Sequence, residues 1–258
     1  MSEIIKAAKK GDKNYINELI DNNININSKD QNGETPLMYA IRNRNQEVAK
    51  ILIEKGADIH LRNSSGQDAL VSACIMGLPT LVQSISERGA DLNKCYKKKQ
   101  TPLSIAAANG NSNTVQVLLD KGARLDVRDY QGWTPLMNAV QVGSLETIKT
   151  LVKYGAEINI QDEEAWTPLM IAASFRDIKI VNYLLRKGAK VNVKNETGLT
   201  PLMLSAILGY EEIAKILVEK GAEISTMDNS NKNAIHLAEE HNNQKVSTFL
   251  RNKIQPEK

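Results

Sequence analysis

Few side chains in this chain could bind a transition metal or act as a nucleophile. The 258 residues include three histidines and two cysteines, which are His60, His236, His241, Cys74 and Cys95. His236 and His241 are five residues apart, which does not place both imidazoles on one face of a helix. No group of Cys, His and Asp has the spacing of zinc ligands. We therefore expect no metal site, no cofactor, and two free thiols in a reducing compartment.

One acidic loop invites a calcium interpretation. Residues 30–34 read Asp-Gln-Asn-Gly-Glu, which is faintly similar to a calcium-binding loop. The same Asp-to-Gly turn recurs at residues 129–132 without calcium ligands, which favours a structural turn. No glycine-rich phosphate loop follows a strand, and a catalytic Ser, His and Asp set would need a pocket that excludes water. An enzyme is therefore the least favoured class.

A strict period organises the rest of the chain. The tripeptide Thr-Pro-Leu begins at Thr35, Thr101, Thr134, Thr167 and Thr200, in steps of 66, 33, 33 and 33 residues. Asp68-Ala69-Leu70 fills the missing step, Asn233 begins the slot after the last, and Ser2 lies one step before the first. The same unit is thus written eight times. Such chains stack their units and bury a core only between neighbours.

The unit around Thr134 predicts two helices. The hydroxyl of Thr134 suits a helix N-cap, and Pro135 suits the first helical position, where its missing N–H costs nothing. This first helix ends near Gly143. The second carries an apolar stripe and ends at Gly155, as a residue that tolerates positive φ; the stripe is Ile148, Leu151 and Val152.

The repeat resembles the ankyrin repeat family. The resemblance rests on Thr-Pro-Leu, a following Ala, a Gly at the inter-helix turn, and the motifs Gly56-Ala57-Asp58-Ile59 and Gly89-Ala90-Asp91-Leu92-Asn93. It implies an all-α, curved solenoid of about eight stacked helix pairs with hairpin-like loops and polar end caps. It also implies a concave face, formed by first helices and hairpins, that binds proteins. The family usually has a His after Thr-Pro-Leu, and in this chain only His236 occupies the corresponding position. Because a His-to-Thr hydrogen-bond network is then mostly absent, we expect the stack to depend on apolar packing.

The period also sets the expected boundaries. We predict a single domain over residues 1–258, with an N-terminal cap at about 1–27 and a C-terminal cap at about 226–258. Between them lie six repeats, at about 28–60, 61–93, 94–126, 127–159, 160–192 and 193–225.

The positions that the repeat leaves free are the candidates for binding. They lie four, three and one residues before the Thr position, and seven and eight after it. Apolar residues cluster there in the fifth to seventh units: Tyr130, Trp133, Val142, Trp166, Phe175, Leu199, Ile207 and Leu208. Exposed apolar patches mark interaction sites, and Trp and Tyr are typical interface anchors. Alternatively, these side chains pack on one another and stiffen the hairpins.

A second candidate surface is basic. The run Lys97, Lys98 and Lys99 lies at a loop tip, where such runs are most often only solvated charge. The alternative is an acidic partner, a phosphate-rich lipid or nucleic acid, with binding that falls steeply as salt is added. A net charge of +3 is no nucleic-acid signature in itself, so nucleic acid is a less favoured partner.

The favoured hypothesis is a non-enzymatic adaptor or scaffold that binds a protein through the concave face and hairpin tips. The alternatives are an electrostatic binder of nucleic acid or an acidic surface, and a secreted effector or inhibitor that acts through binding. No stretch approaches the ~20 apolar residues of a membrane span, and the N-terminus has no secretory signal. We expect a cytoplasmic monomer, with delivery elsewhere without a cleaved signal left open.

The third unit is the poorest match to the pattern. It lacks Thr-Pro, Ser84 and Ser86 interrupt its second-helix stripe, and the loop at 94–100 lacks the turn Asp and Gly. Because local stability varies along a repeat stack, we expect amide hydrogens in residues 68–100 to exchange faster than those in residues 134–220. Hydrogen–deuterium exchange read by mass spectrometry measures this, and equal protection of the two segments would contradict it.

Overall fold

The computed structural model describes residues 2–254. These residues form sixteen α-helices and one 3-10 turn, and the described part of the chain contains no strand, which confirms the all-α prediction. The chain divides into two compact units, Met1–Asp129 and Tyr130–Lys258. Met1 and residues 255–258, which belong to the predicted caps, lie outside the described residues. A single domain over residues 1–258 stays a prediction.

The first unit contains eight α-helices in two rows. The odd-numbered helices pack side by side in one row, α1 on α3, α3 on α5 and α5 on α7, and the even-numbered helices form the second row behind them. The helices are α1 Glu3–Lys10, α2 Lys13–Asp21, α3 Pro36–Arg42, α4 Gln46–Glu54, α5 Ala69–Met76, α6 Pro79–Glu87, α7 Pro102–Ala108 and α8 Ser112–Asp120.

The second unit repeats this arrangement. Its odd-numbered helices pack as a row from α9 to α15, and α12, α14 and α16 pack as a row behind them. The helices are α9 Pro135–Gln141, α10 Leu145–Lys153, α11 Pro168–Ser174, α12 Ile178–Arg186, α13 Pro201–Leu208, α14 Glu211–Glu219, α15 Ala234–Glu240 and α16 Gln244–Ile254.

The predicted threonine caps are confirmed. Thr134 Oγ1 accepts a hydrogen bond from the backbone N–H of Met137 at 3.4 Å, and Thr35, Thr101, Thr167 and Thr200 each do the same three residues on. Proline follows each of these caps as the first helical residue. All five threonines are buried, so the caps lie inside the stack and satisfy backbone donors that water could not reach.

The core of each unit lies between its two rows and between neighbouring repeats. The small residue five places after each cap is fully buried, as the close approach of helices requires; these residues are Ala40, Ala73, Ala106, Ala139, Ala172, Ser205 and Ala238. Methionines take the position after Thr-Pro-Leu in most repeats, and Met38, Met137, Met170 and Met203 are all buried. Burying such a side chain contributes about 1.5–3 kcal/mol, so apolar packing holds neighbouring helices together.

Hairpin-like loops join one repeat to the next. An Asp or Asn at the start of most tips folds the loop, because its Oδ1 accepts backbone N–H groups two and four residues on, as Asp30 does from Asn32 and Glu34, each at 2.9 Å. Tyr96 takes this place in the loop at 94–100. The acidic loop at 30–34 is thus built like the other hairpins. Neighbouring tips are also joined by backbone hydrogen bonds, such as the one from Ser64 N–H to the Asn32 carbonyl at 2.8 Å.

The exceptional third repeat contains a polar cluster that replaces the usual cap. Asp68 Oδ1 caps α5 through Val71 N–H at 3.2 Å. Its Oδ2 accepts from the Tyr96 hydroxyl at 2.7 Å and pairs with Lys94 Nζ at 3.0 Å. Burial and the Asp68 carboxylate raise the pKa of Tyr96, so the hydroxyl remains a donor. This cluster ties the third repeat to the next hairpin.

The second helix of that repeat forms despite its serines. The hydroxyls of Ser84 and Ser86 donate to carbonyls of their own helix, and the helix still buries an apolar stripe of Leu81, Val82 and Ile85. The faster amide exchange expected of residues 68–100 stays a prediction.

Asparagine side chains lock some repeats to the preceding one. Asn111 Nδ2 donates to the carbonyls of Cys74 and Ile75, at 2.9 and 3.1 Å, at the C-terminal end of α5. Gly77 makes room for this amide, since a Cβ there would lie 2.5 Å from Asn111 Oδ1. Asn45 with Gly11, and Asn243 with Gly209, repeat the arrangement.

We expect Gly77→Ala to destabilise the protein more than Gly89→Ala. Both glycines have positive φ, where alanine costs about 1–2 kcal/mol, but a Cβ at Gly89 meets nothing within 4 Å. At Gly77 the Asn111 amide must move away and lose its two hydrogen bonds, which adds about 1–3 kcal/mol. Denaturant unfolding of the two variants measures the difference, and equal losses would show that the amide lock contributes nothing.

Candidate functional site

A groove of about 450 Å³ opens on the second unit. It is built from two consecutive repeats, and its lining residues come from their hairpin tips and from the first helices α9 and α11. Its lining includes the rings of Tyr130, Trp133, Trp166 and Phe175. The structure thus brings four of the predicted apolar residues together around one cavity.

One carboxylate binds the indole of Trp133 and the backbone of Trp166. Asp162 Oδ2 accepts the indole N–H of Trp133 at 2.9 Å, a bond between two successive hairpins. Asp162 Oδ1 accepts the backbone N–H of Trp166 at 2.8 Å and closes the second hairpin. Both tryptophans are half-buried, and they lie immediately before the caps Thr134 and Thr167.

Two aromatic rings on the same groove remain open to solvent. Tyr130 is 75% exposed at the first hairpin, and Phe175 is 58% exposed at the C-terminal end of α11. Buried Ile171 contributes to the lining beneath them. The tryptophans are thus half-buried, whereas Tyr130 and Phe175 present most of their surface to water. Binding through this cluster stays a prediction.

The groove also carries acidic side chains that the sequence reasoning missed. Asp162, Glu163 and Glu164 line it together with the rings. Glu163 and Glu164 lie four and three residues before Thr167, which are free positions of the repeat, so the charge at those positions was the signal that could have revealed them. Ala165 follows with φ of 61° and turns the hairpin tip.

The other predicted apolar residues lie outside the groove lining. Val142 and Leu208 are 46% and 42% exposed, and each lies at the C-terminal end of a first helix. Leu199 and Ile207 are half-buried. They belong to the predicted face, but the structure does not bring them to the groove.

The predicted basic residues lie in the first unit. Lys97, Lys98 and Lys99 form the 3-10 turn and are all exposed. Lys98 and Lys99 have φ of 58° and 61°, a left-handed conformation that lysine rarely adopts. The run therefore stands at the loop tip, as the sequence predicted.

The cysteines and histidines that the sequence offered as possible reactive or metal-binding residues are buried, or hydrogen-bonded to the backbone, or isolated from other such residues. Cys74 is buried, and burial raises the pKa of its thiol, which keeps it protonated and unreactive, while Cys95 is exposed. His236 Nδ1 accepts the backbone N–H of Asn233 at 3.3 Å, and His241 Nδ1 lies 2.9 Å from the Leu237 carbonyl oxygen. Among the described residues, no three His, Cys, Asp or Glu side chains are grouped to hold a metal ion. None of the helices described has the length and apolar character to cross a bilayer.

Comparison with known proteins identifies the repeat. The family model "Ankyrin repeats (3 copies)" matches residues 4–95, 70–162 and 169–258, and "Ankyrin repeats (many copies)" matches residues 142–185. The crystal structure of the human ASB11 ankyrin repeat domain is 26% identical with a TM-score of 0.75, covering 84% of this chain and 97% of that one. The ankyrin repeat domain of Bcl-3, a unique member of the IkappaB protein family, is 27% identical with a TM-score of 0.75, covering 86% and 100%. No curated protein sequence matches this chain significantly.

We expect Ala165→Gly to stabilise the protein by about 0.5–1 kcal/mol, because glycine adopts the positive φ of this hairpin without steric cost. The matched control is Ala189→Gly. Ala189 is also half-buried, but it is not among the residues with positive φ, so glycine there should only destabilise. Thermal and urea unfolding measure both variants. A loss of stability in Ala165→Gly would show that the hairpin stores no backbone strain.

Proposed function

The chain belongs to the ankyrin repeat family, and we propose that it is a non-enzymatic adaptor or scaffold that binds a protein partner through the groove between Trp133 and Phe175. Ankyrin repeat domains are generally protein–protein interaction modules. The proposed binding face consists of first helices and hairpin tips in the second unit, with Val142, Leu199, Ile207 and Leu208 extending it beyond the groove.

The observation that carries this proposal is the exposure of Tyr130 and Phe175 beside two half-buried tryptophans. A folded chain gains nothing by leaving two large rings in water at one cavity, and exposed apolar surface of this kind marks interaction sites. Aromatic side chains in a pocket are also the residues that dominate binding energy at protein interfaces.

The fixed geometry of the groove supports the same proposal. The Asp162 carboxylate holds the Trp133 indole and the Trp166 backbone in place before any partner arrives. Binding to a preformed surface avoids the cost of ordering side chains, about 0.5–1.5 kcal/mol for each one immobilised. More of the contact energy is therefore available as affinity.

The proposal includes a cytoplasmic location and a monomeric state, and the two free thiols accord with a reducing compartment. The electrostatic alternative relies on Lys97, Lys98 and Lys99. Salt separates the two hypotheses, because capture through aromatic rings should survive added salt, whereas capture by lysines should weaken steeply.

The double variant Tyr130→Ala/Phe175→Ala should lose partner binding while remaining folded. Both rings are mostly exposed, so their removal should change the free energy of unfolding by only about 0.5 kcal/mol. Removal of an interface anchor typically costs about 2 kcal/mol or more of binding free energy. Partners captured from the native host by wild-type protein would be identified, purified and measured against the double variant by calorimetry.

The matched control is Tyr183→Ala, which removes a half-buried aromatic ring from α12 in the second row of the same unit. It should keep wild-type affinity. A purified partner that binds the double variant as tightly as wild type, or whose affinity depends on Tyr183 instead, would refute the groove as the binding site.

A further inference from the structure

The charge of the groove differs from that of the chain. The chain carries a net charge of +3, yet the described residues that line the groove include three carboxylates and no lysine or arginine. Apolar capture alone does not require acidic side chains among the rings. The local composition therefore carries information about the partner beyond the presence of apolar surface.

The three carboxylate residues differ in the hydrogen bonds that they make within the fold. Asp162 is committed to the hairpin and to the Trp133 indole. Glu163 joins the two tips, because its backbone N–H donates to the Gln131 carbonyl at 3.1 Å. Glu164 contributes only backbone groups to the fold, because its N–H donates to Asp162 Oδ1 at 3.0 Å and its carbonyl accepts from Glu196 N–H at 3.1 Å. Its side chain is exposed, and the carboxylate takes part in none of the hydrogen bonds and ion pairs of the described residues.

Nearby cations of the second unit are engaged elsewhere. The Arg176 guanidinium lies over the Tyr210 ring, 5.5 Å from its centroid. Lys194 Nζ donates to the Met227 carbonyl at 2.7 Å. Neither residue lines the groove, so the exposed Glu164 side chain can pair with a cation supplied from outside.

We propose that the partner protein inserts an arginine side chain into this groove. The guanidinium stacks on an aromatic ring and pairs with the Glu164 carboxylate. A planar guanidinium combines both contacts, because it stacks on aromatic faces and donates two parallel hydrogen bonds to a carboxylate. The inference rests on the proposed function, since it names the chemistry of the partner at the same site.

The size of the groove fits this occupant. A volume of about 450 Å³ lies within the range of clefts that enclose a drug-sized ligand. It accommodates the arginine together with a flanking apolar side chain, for which Phe175 and Ile171 provide contact. Acidic segments are disfavoured, because like charges brought together at an interface oppose binding.

A peptide selection tests the proposal even before the partner protein is identified. A random peptide library displayed on phage is selected on wild-type protein and depleted on Tyr130→Ala/Phe175→Ala. The peptides that remain should share an arginine next to an apolar residue. Synthetic copies of these peptides are then titrated into the protein. Binding is followed by the fluorescence of Trp133 and Trp166, the two tryptophans of the chain.

Replacement of the arginine by citrulline keeps its shape and removes its charge, and it leaves the protein untouched. We expect the affinity to fall by about tenfold or more, because a charge-assisted hydrogen bond and a cation–π contact are lost together. Glu164→Gln should cause a similar loss for the arginine peptide and almost none for the citrulline peptide. The matched control is Glu157→Gln, an exposed glutamate outside the groove lining, which should bind both peptides as wild type does.

Two results would overturn the inference, and they differ in what they leave standing. Selected peptides that require Tyr130 and Phe175 but lack arginine, or that tolerate citrulline without loss, would refute the arginine and leave the proposed function intact. A selection in which wild type enriches nothing over the double variant would contradict both the arginine and the groove itself.

Discussion

A pair of short helices cannot bury its own apolar residues without a neighbouring pair. The stacking of the repeats and the 33-residue period of the sequence follow from that constraint. Within each unit, the first helix of a repeat packs against the first helices of its neighbours, and the fully buried alanines let them approach. The same residue types must therefore return every 33 residues. Positions outside this requirement are free to vary, and the groove is composed largely of them.

Local signals made the fold predictable from the sequence. A threonine that caps a helix needs only the backbone N–H three residues on, and the proline after it has no N–H that must be hydrogen-bonded. Thr134 and Pro135 therefore predicted the start of α9 correctly. Contacts across repeats were not predictable in this way. The hydrogen bond between Tyr96 and Asp68 joins residues that are 28 positions apart. The local sequence around either residue does not indicate that the tyrosine at the turn position donates to this buried carboxylate.

In the candidate site too, local features were predictable from the sequence and contacts between repeats were not. Periodicity predicted which positions face outward, and four of the apolar residues at those positions, Tyr130, Trp133, Trp166 and Phe175, line one groove. It could not predict that Asp162 would hold the Trp133 indole across 29 residues, because the pairing depends on how two hairpins stack. That bond places the Asp162 carboxylate beside the Trp133 indole, so an acidic group lies among the rings.

The central claim is that an open, acidic aromatic groove surrounds the tryptophans of a chain with net positive charge. Trp133 and Trp166 are its only tryptophans, so their fluorescence reports on the groove directly. Collisional quenching by caesium and by iodide, each normalised to free N-acetyl-tryptophanamide at the same ionic strength, measures both access and local charge. The account predicts that both indoles are accessible and that caesium quenches more efficiently than iodide. Emission that neither ion quenches, or that iodide quenches better, would contradict it.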